Sequence, residues 1–129
     1  MRNLLFLAFV ALIATACNDE PPEQQILGKW NFYQFDYKNA PRFPEGKKRF
    51  VEQIYSGISY FFQPDHVLLA KHLNKDGKIL DSVVMKYAIS PDGQKMMLGK
   101  DVVDFSIHSG FLEITYIDIV GPAAVFKKQ

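Results

Sequence analysis

Residues 79–119 read ILDSVVMKYAISPDGQKMMLGKDVVDFSIHSGFLEITYIDI, and this stretch decides the fold. Apolar and polar residues alternate along most of it, as they do in β-strands that have one buried face. Two short segments, Pro91–Gly93 and His108–Gly110, interrupt the alternation with residues that favour tight turns. The stretch therefore predicts four consecutive strands with hairpin-length connections. They are Ile79–Ile89, Lys95–Leu98, Val102–Ile107 and Phe111–Ile119.

The same pattern continues on both sides of this stretch. Residues 39–46 contain two prolines and a glycine and are predicted to form a loop. Residues 47–56 follow with Phe50 and Ile54 four positions apart, which favours a short amphipathic helix. The remaining predicted strands are Leu27–Tyr37, Ile58–Gln63, Val67–Leu73 and Ala123–Lys127.

Eight strands with hairpin-length links are typical of an antiparallel meander, which closes most simply into a barrel without unpaired edges. We therefore predict an all-β fold, a small eight-stranded up-and-down antiparallel barrel with one short helix after the first strand. The alternation also predicts which side chains of the later strands point into the barrel. They are Val83, Met85, Tyr87, Ile89, Val103, Phe105, Ile107, Leu112, Ile114 and Tyr116.

The first strand carries aromatic residues on both of its predicted faces. Trp30 and Phe32 lie on one face, whereas Tyr33, Phe35 and Tyr37 lie on the other. Because only one face of a strand can point into a barrel, we expect the helix or a partner protein to cover the other face.

The N-terminal segment MRNLLFLAFVALIATAC has the features of a secretory signal peptide. Arg2 gives it a positive start, and the apolar run that follows is too short to span a bilayer. Residues 14–17, Ala-Thr-Ala-Cys, resemble the lipobox of bacterial lipoproteins. The resemblance implies cleavage after residue 16 and attachment of a diacylglycerol and an N-acyl chain, such as palmitate, to Cys17. Two or more acyl chains anchor a protein stably, so we predict membrane attachment through Cys17 without a membrane span.

Cys17 is the only cysteine, so an internal disulfide is excluded. Residues 17–25 are polar and Pro-rich, and we predict that they form a flexible, extended tether to a single domain at residues 26–129. The acidic residues Asp19 and Glu20 resemble the export signal of surface-exposed lipoproteins in Bacteroidota. The resemblance implies a lipid-anchored protein of the cell envelope, at the outer membrane, and leaves the periplasmic face and the cell surface both open.

Residues 26–128 resemble the lipocalin-like domain of small bacterial lipoproteins. The segment Ile26-Leu27-Gly28-Lys29-Trp30 is similar to the Gly-x-Trp motif at the first strand of lipocalins. The resemblance implies that Gly28 and Trp30 form a structural motif, with Trp30 closing one end of the barrel. Further segments follow in the family's order, namely the two hairpins at residues 60–66 and 87–93 and the strands at residues 111–115 and 126–127.

The chain departs from the lipocalin pattern in three places. The Thr-Asp-Tyr motif of that family is missing, and only Lys127 or Lys128 could replace the family's arginine that packs across the tryptophan. His66 stands where a glycine is expected. Because histidine is among the residues that tolerate a left-handed backbone conformation, we still expect the turn to form.

The charge balance and the residue spacing argue against several classes of function. The formal net charge is +1 and falls to zero without Arg2, which argues against nucleic acid as a partner. The three histidines lack the close spacing of a zinc site, and no Gly-x-Ser-x-Gly nucleophile motif occurs. We therefore predict that the protein is not an enzyme and holds no metal or cofactor.

A group of basic residues flanks the predicted loop and helix at one end of the barrel. Beside an apolar interior, such charges favour an amphipathic anion such as a fatty acid, with its tail inside and its carboxylate at the rim. The basic group consists of Lys38, Arg42, Lys47, Lys48 and Arg49. The candidate ligand-binding residues are Arg42, Lys47 and Arg49 at the rim and Phe61, Met85, Tyr87, Phe105 and Tyr116 in the interior.

The alternative is a filled barrel that acts as a protein-interaction or structural module at the outer membrane. An open cavity above ~300 Å³ would favour a small hydrophobic ligand. A closed interior with an exposed aromatic stripe would favour an envelope protein as the partner. The bulky residues expected to fill the interior are Trp30, Phe61, Tyr87, Phe105 and Phe126.

Overall fold

The structure, a computed structural model, describes residues 20–116 and 121–129. The predicted signal peptide and Cys17 lie outside the described residues. Eight described strands form a closed antiparallel barrel in which each strand pairs with the next and the last pairs with the first. They are β1 Gly28–Asp36, β2 Ile58–Phe62, β3 Val67–Leu73, β4 Ile79–Ile89, β5 Lys95–Leu98, β6 Asp101–His108, β7 Phe111–Tyr116 and β8 Ala123–Lys128. Helix α1 spans Pro22–Gln25 and helix α2 spans Glu45–Tyr55.

The predicted up-and-down barrel with a helix after its first strand is confirmed. The strands begin and end within one residue of the predicted positions, except that the strand from Phe111 is described only as far as Tyr116. Turn chemistry explains the agreement, because residues with left-handed backbone end the strands. His66 has a φ of 64° and Gly93 a φ of 73°, so histidine does replace glycine in the first of these turns.

Aromatic and aliphatic side chains fill the barrel. Trp30, Phe62 and Phe126 are almost completely buried, and Tyr60 stacks on Phe126 with ring centroids 4.6 Å apart. Most of the predicted interior set is confirmed: Tyr87, Val103, Phe105, Leu112 and Ile114 are buried, and Met85, Ile89, Ile107 and Tyr116 pack against the core.

Val83 is the exception in that set, because its side chain is 48% exposed. Strand β5 has only four residues and pairs with β4 from Tyr87 to Ile89. The first part of β4 therefore extends beyond the neighbouring wall of the barrel. A period of two residues predicts the face on which Val83 lies, but burial also requires a neighbouring strand that is long enough to cover it.

A β-bulge in β1 changes the predicted faces of that strand. Phe32 pairs with Phe126 of β8 and Gln34 pairs with Val125, so Tyr33 is the extra residue of β1. Tyr33 is consequently 53% exposed, whereas Phe32 and Phe35 both pack against the core. The prediction that Phe35 lies on the face opposite Trp30 is therefore wrong, because an inserted residue reverses the alternation.

The predicted extended tether is also partly helical. Pro22 suits the first turn of a helix, and Ile26 donates its backbone N–H to the carbonyl of Pro22 at the end of α1. Ile26 is completely buried. The apolar residue after the polar segment therefore draws residues 22–25 onto the barrel, so these four residues are not part of an extended tether.

Trp30 closes this end of the barrel, called the floor below. Its indole Nε1 donates to the carbonyl of Ile26 at 2.7 Å. Lys128 Nζ lies 5.2 Å from the centre of the Trp30 ring and donates to the carbonyl of Gln25 at 3.3 Å. Lys128 thus takes the place of the lipocalin arginine, as the sequence allowed.

Replacing Trp30 with alanine tests the floor. We expect Trp30→Ala to lower the free energy of unfolding by ~3–5 kcal/mol, because it removes a buried aromatic side chain and leaves a cavity. Tyr33→Ala is the matched control, since it truncates an exposed aromatic residue of the same strand. Urea denaturation measures both variants, and a loss below about 1 kcal/mol for Trp30→Ala would contradict this role of the tryptophan.

Candidate functional site

Helix α2 crosses the end of the barrel opposite the floor, called the mouth below. Tyr55, in its last turn, packs against Phe32 and Phe35 of β1 with ring centroids 5.5 and 4.9 Å apart. Glu52 accepts a hydrogen bond of 3.0 Å from the hydroxyl of Tyr37. Aromatic packing and one hydrogen bond therefore hold the helix against β1.

An apolar cavity of about 240 Å³, called the mouth pocket below, lies between α2 and the barrel. The helix contributes Val51 and Tyr55, which follow each other by one turn on the side that faces the barrel. The complete lining is Phe35, Phe43, Val51, Tyr55, Tyr116, Gly121 and Pro122. Hydrocarbon and aromatic surfaces dominate this lining, so the pocket suits an apolar group.

Three tyrosines, Tyr55, Tyr60 and Tyr116, form a cluster at the mouth pocket. The pKa of Tyr116 is raised to about 12, mainly by burial and to a smaller extent by the nearby Tyr55 and Asp101, while a hydrogen bond with Tyr60 opposes the increase. Burial also raises the pKa of Tyr60, with additional contributions from Tyr116 and Tyr55. Burial alone raises the pKa of Tyr55. At neutral pH all three hydroxyls are therefore uncharged and able to donate hydrogen bonds.

A second cavity of about 240 Å³, called the hairpin pocket below, lies between the end of α2 and the β3–β4 hairpin. Ile54 of α2 and Val83 of β4 stand at its sides, and both side chains are largely exposed. Ile58, Tyr60 and Ala70 supply more of the lining, together with the polar residues Lys71, His72, Asp81 and Ser82.

Below these two pockets the barrel interior is occupied by the protein's own side chains. Tyr60 stacks on Phe126, and Phe62 meets Tyr87 edge to face at 5.0 Å between ring centroids. Trp30 lies beneath them at the floor. A ligand at the mouth would therefore meet a layer of aromatic rings rather than a deep lumen.

The predicted interior ligand residues do not come together at one site. Of that set only Tyr116 lines the mouth pocket. Met85 and Phe105 pack within the core, and Tyr87 lies near the floor, where its hydroxyl donates to the carbonyl of Gln63 at 2.8 Å.

The placement of Phe61 in the interior is wrong. Its neighbours Tyr60 and Phe62 point inward, so Phe61 points outward. The centre of the Phe61 ring lies 5.8 Å from Lys29 Nζ. Phe62 fills the interior in its place. The two adjacent phenylalanines are equivalent in composition, and only the pairing register of β2 decides between them.

The predicted cationic rim is present but does not border the mouth pocket. Arg42, Lys47 and Arg49 are exposed on the loop and on the outer side of α2. Lys48 instead lies 4.6 Å from the centre of the Tyr37 ring and pairs with Glu45 at 2.7 Å. The charges can therefore attract an anion at long range, whereas contacts inside the pocket are apolar.

Of the seven residues that line the mouth pocket, sequence reasoning proposed only Tyr116 as a ligand-binding residue and missed the other six. Val51 and Tyr55 were detectable as a second pair at helical spacing, beside Phe50 and Ile54. Phe43 lies in the Pro-rich loop and Pro122 lies just before β8, where no periodic pattern indicates which way a side chain points.

The described residues contain no cluster of three or more His, Cys, Asp or Glu side chains that could hold a metal ion. None of the helices in the described ranges is long and apolar enough to cross a membrane.

Tyrosine ionisation tests the burial of the cluster. The pKa values of Tyr55, Tyr60 and Tyr116 are higher in the folded protein than the unfolded value of about 10. The three tyrosines therefore stabilise the folded protein fully below about pH 10, and this stabilisation is lost as the pH rises towards 12. We expect Tyr116 to ionise only near pH 12 in the folded protein. Tyr116→Phe should make this late step smaller by one group, because the pKa of Tyr37 is also raised to about 12. Ultraviolet absorbance of tyrosinate measures it, with urea-unfolded protein as the control. Ionisation of all six tyrosines together near pH 10 would contradict the cluster.

Comparison with known proteins identifies the fold. No protein-family model matches the chain, and no curated protein matches it. A solved structure of an uncharacterized protein from Bacteroides eggerthii is 17% identical, with a TM-score of 0.53 over 80% of this chain and 98% of that chain. A DUF4847 family protein from Bacteroides vulgatus is 11% identical, with a TM-score of 0.50 over 79% of this chain and 94% of that chain.

A lipocalin lipoprotein affecting virulence in Streptococcus pneumoniae is 19% identical, with a TM-score of 0.41 over 55% of this chain and 76% of that chain. The two Bacteroides proteins match over nearly their whole lengths, so they share the fold of this chain. The closed eight-stranded meander with a tryptophan at its floor is a lipocalin-like barrel, as the sequence resemblance implied.

Proposed function

We propose that this chain is a lipid-anchored lipoprotein of the cell envelope whose barrel binds the apolar part of a small amphipathic ligand at the mouth, without catalysis. The mouth pocket is the observation that carries the proposal. It combines an apolar lining with neutral tyrosine hydroxyls at its border. Anchoring through Cys17 at the outer membrane is part of the proposal and rests on the lipobox and the acidic residues that follow it.

The size of the mouth pocket limits the ligand. Pockets for drug-sized ligands usually measure ~300–1,000 Å³, and the mouth pocket measures about 240 Å³. The layer of rings formed by Tyr60 and Phe126 lies beneath the mouth and prevents a long chain from entering the barrel. The pocket therefore fits a short acyl chain or the end of a longer one.

The tyrosine cluster gives the pocket a polar side. Tyr116 lines the pocket, and its hydroxyl is protonated at neutral pH, as a tyrosine hydroxyl with an ordinary or a raised pKa is. A protonated hydroxyl can donate a hydrogen bond to a carboxylate or a carbonyl oxygen of the ligand. Arg42, Lys47 and Arg49 add a positive potential outside the pocket, so binding of an anion should weaken as salt increases.

A protein-interaction module is the second candidate, and exposed apolar side chains at the mouth favour it. Phe50 and Ile54 lie one turn apart on the outer side of α2 and are 62% and 45% exposed. The aromatic packing of the interior also favours an interaction module, because a barrel filled by its own side chains can bind a partner only at its surface.

Filling the mouth pocket tests the primary proposal. The delipidated domain is titrated with a fluorescent short-chain fatty acid, for which we expect saturable binding. Val51→Trp should reduce affinity at least tenfold, because the larger side chain occupies the pocket. Tyr116→Phe should reduce it about threefold to tenfold, because a hydrogen-bond donor is lost at constant shape.

Gln53→Trp is the matched control for added bulk, since Gln53 is an exposed residue of the same helix. Joint replacement of Arg42, Lys47 and Arg49 with alanine should reduce the salt dependence of binding. No saturable binding, or equal binding by Val51→Trp and wild type, would contradict the ligand proposal and favour the interaction module.

A further inference from the structure

One edge of β4 lacks a neighbouring strand over more than half of its length. Strand β3 pairs with β4 from Lys86 back to Ile79. On the other side β5 pairs only with Tyr87–Ile89, and a hydrogen bond of 2.9 Å from Gly99 N–H to the Lys86 carbonyl ends this pairing. The side of Ile79–Met85 that faces away from β3 is called the β4 edge below. Among residues 20–116 and 121–129, no strand pairs with it.

The side chains of the β4 edge are apolar and exposed. Ile79, Leu80, Val83 and Val84 are 56%, 62%, 48% and 69% exposed. Soluble proteins usually protect a free edge with charged residues, proline or a bulge, because unpaired backbone groups bind other strands. Within the β4 edge only Asp81 carries a charge. The carboxylate of Asp81 accepts a hydrogen bond of 2.8 Å from the backbone N–H of Ser82, and Leu80 is an extra residue in the pairing of β4 with β3. The first half of the edge is therefore partly protected, whereas Val83–Met85 is available for pairing.

The hairpin pocket lies beside the β4 edge. Asp81 and Val83 of the edge line this pocket, and Ile54 of α2 stands on the side opposite them. An extended segment paired with the edge would place every second side chain over the pocket, and the intervening side chains next to Val84. Backbone pairing with a pocket for alternate side chains is the arrangement by which sheets recognise extended peptides.

We propose that the β4 edge and the hairpin pocket form a docking site for an extended segment of a partner protein, which adds to the barrel as a further strand. The partner segment alternates apolar residues over a length that matches Ile79–Met85. Lys78 flanks one end of the edge, and Lys86 and Lys100 flank the other. Acidic residues at both ends of the partner segment complement these charges.

The position of the anchor selects a different protein over a second copy as the partner. Antiparallel pairing of two β4 edges around a two-fold axis would point the two floors in opposite directions. The tether leaves the barrel at the floor, where Gln25 Nε2 donates to the carbonyl of Glu20. Residues 17–21 reach less than about 20 Å, so two such copies could not both insert lipid into one membrane. This choice of partner rests on the proposed anchor at Cys17, whereas the docking site itself does not.

Amide hydrogen exchange and peptide binding test the site on the mature lipidated protein in detergent. In the free protein, the amides of Ile79–Met85 that are bonded neither to β3 nor, as Ser82 is, to the Asp81 carboxylate should exchange fast. The probe is a synthetic peptide that alternates valine and threonine, carries glutamate at both ends and matches the length of the edge. We expect saturable, salt-sensitive binding and slower exchange at Ile79–Met85. A peptide with a central proline should bind at least tenfold more weakly, because it loses a backbone donor.

Val83→Lys and Met97→Lys form a matched pair of variants. Both parent side chains are 48% exposed, but Met97 lies on β5, which has a neighbour on each side. We expect Val83→Lys to weaken peptide binding at least tenfold and Met97→Lys to leave it unchanged. Equal binding by both variants, no saturable binding, or slow exchange throughout Ile79–Met85 in the free protein would overturn the proposal.

Two further measurements separate the alternatives. A concentration-dependent dimer in sedimentation that Val83→Lys abolishes would overturn the choice of partner in favour of a second copy. Fatty-acid binding at the mouth pocket is measured on the same Val83→Lys variant, and we expect it to remain within twofold of wild type. Loss of peptide binding with fatty-acid binding intact confirms separate sites, so a failure of one proposal is distinguishable from a failure of the other.

Discussion

The hydrogen bond from the Trp30 indole to the Ile26 carbonyl joins the parts on which the rest of the structure depends. It ties the start of β1 to the segment that follows α1. Lys128, near the end of β8, packs over the same ring and binds the carbonyl of Gln25. The Trp30 side chain thus connects the segment before β1 with the last strand, β8. It does so where β1 and β8 pair and close the barrel.

This closure gives the barrel two unlike ends. The floor is closed by the buried side chains of Ile26 and Trp30, and the segment that leads to the predicted anchor leaves from it. The mouth carries α2, the two pockets, the tyrosine cluster and the β4 edge. With the anchor proposed at Cys17, the floor would face the membrane and the features that can bind another molecule would face away from it. Binding at the mouth therefore requires neither a hollow interior nor contact with the anchoring membrane.

The sequence predicted the parts of the fold that depend on local chemistry. Alternation in β6 and β7 predicted the burial of Val103 and Ile114, and the turn residues around His66 and Gly93 set the ends of strands correctly. The errors occur where the outcome depends on a neighbouring element. The bulge at Tyr33 follows from its pairing with β8, and the exposure of Val83 follows from the length of β5.

The candidate site was less predictable for the same reason. Tyr116 was correctly placed on an inward face, but its role as a pocket wall depends on α2 and on Pro122. Phe61 and Phe62 have identical side chains, so only register distinguishes the inward one. The basic residues were correctly placed at the mouth end, whereas their separation from the pocket depends on which side of α2 packs against the barrel.

In the function proposed above, ligand binding is confined to the mouth because side chains fill the interior. Trp30 is the only tryptophan and lies at the floor, so its fluorescence reports on that end alone. The most direct measurement is its emission during titration with a fatty acid brominated at the end of its chain, with occupancy followed by equilibrium dialysis. The account predicts unchanged Trp30 emission at full occupancy, because the rings of Tyr60, Phe62 and Phe126 separate the bromine from the indole. Quenching that rises in proportion to occupancy would show that the chain reaches the floor, and it would contradict a filled barrel.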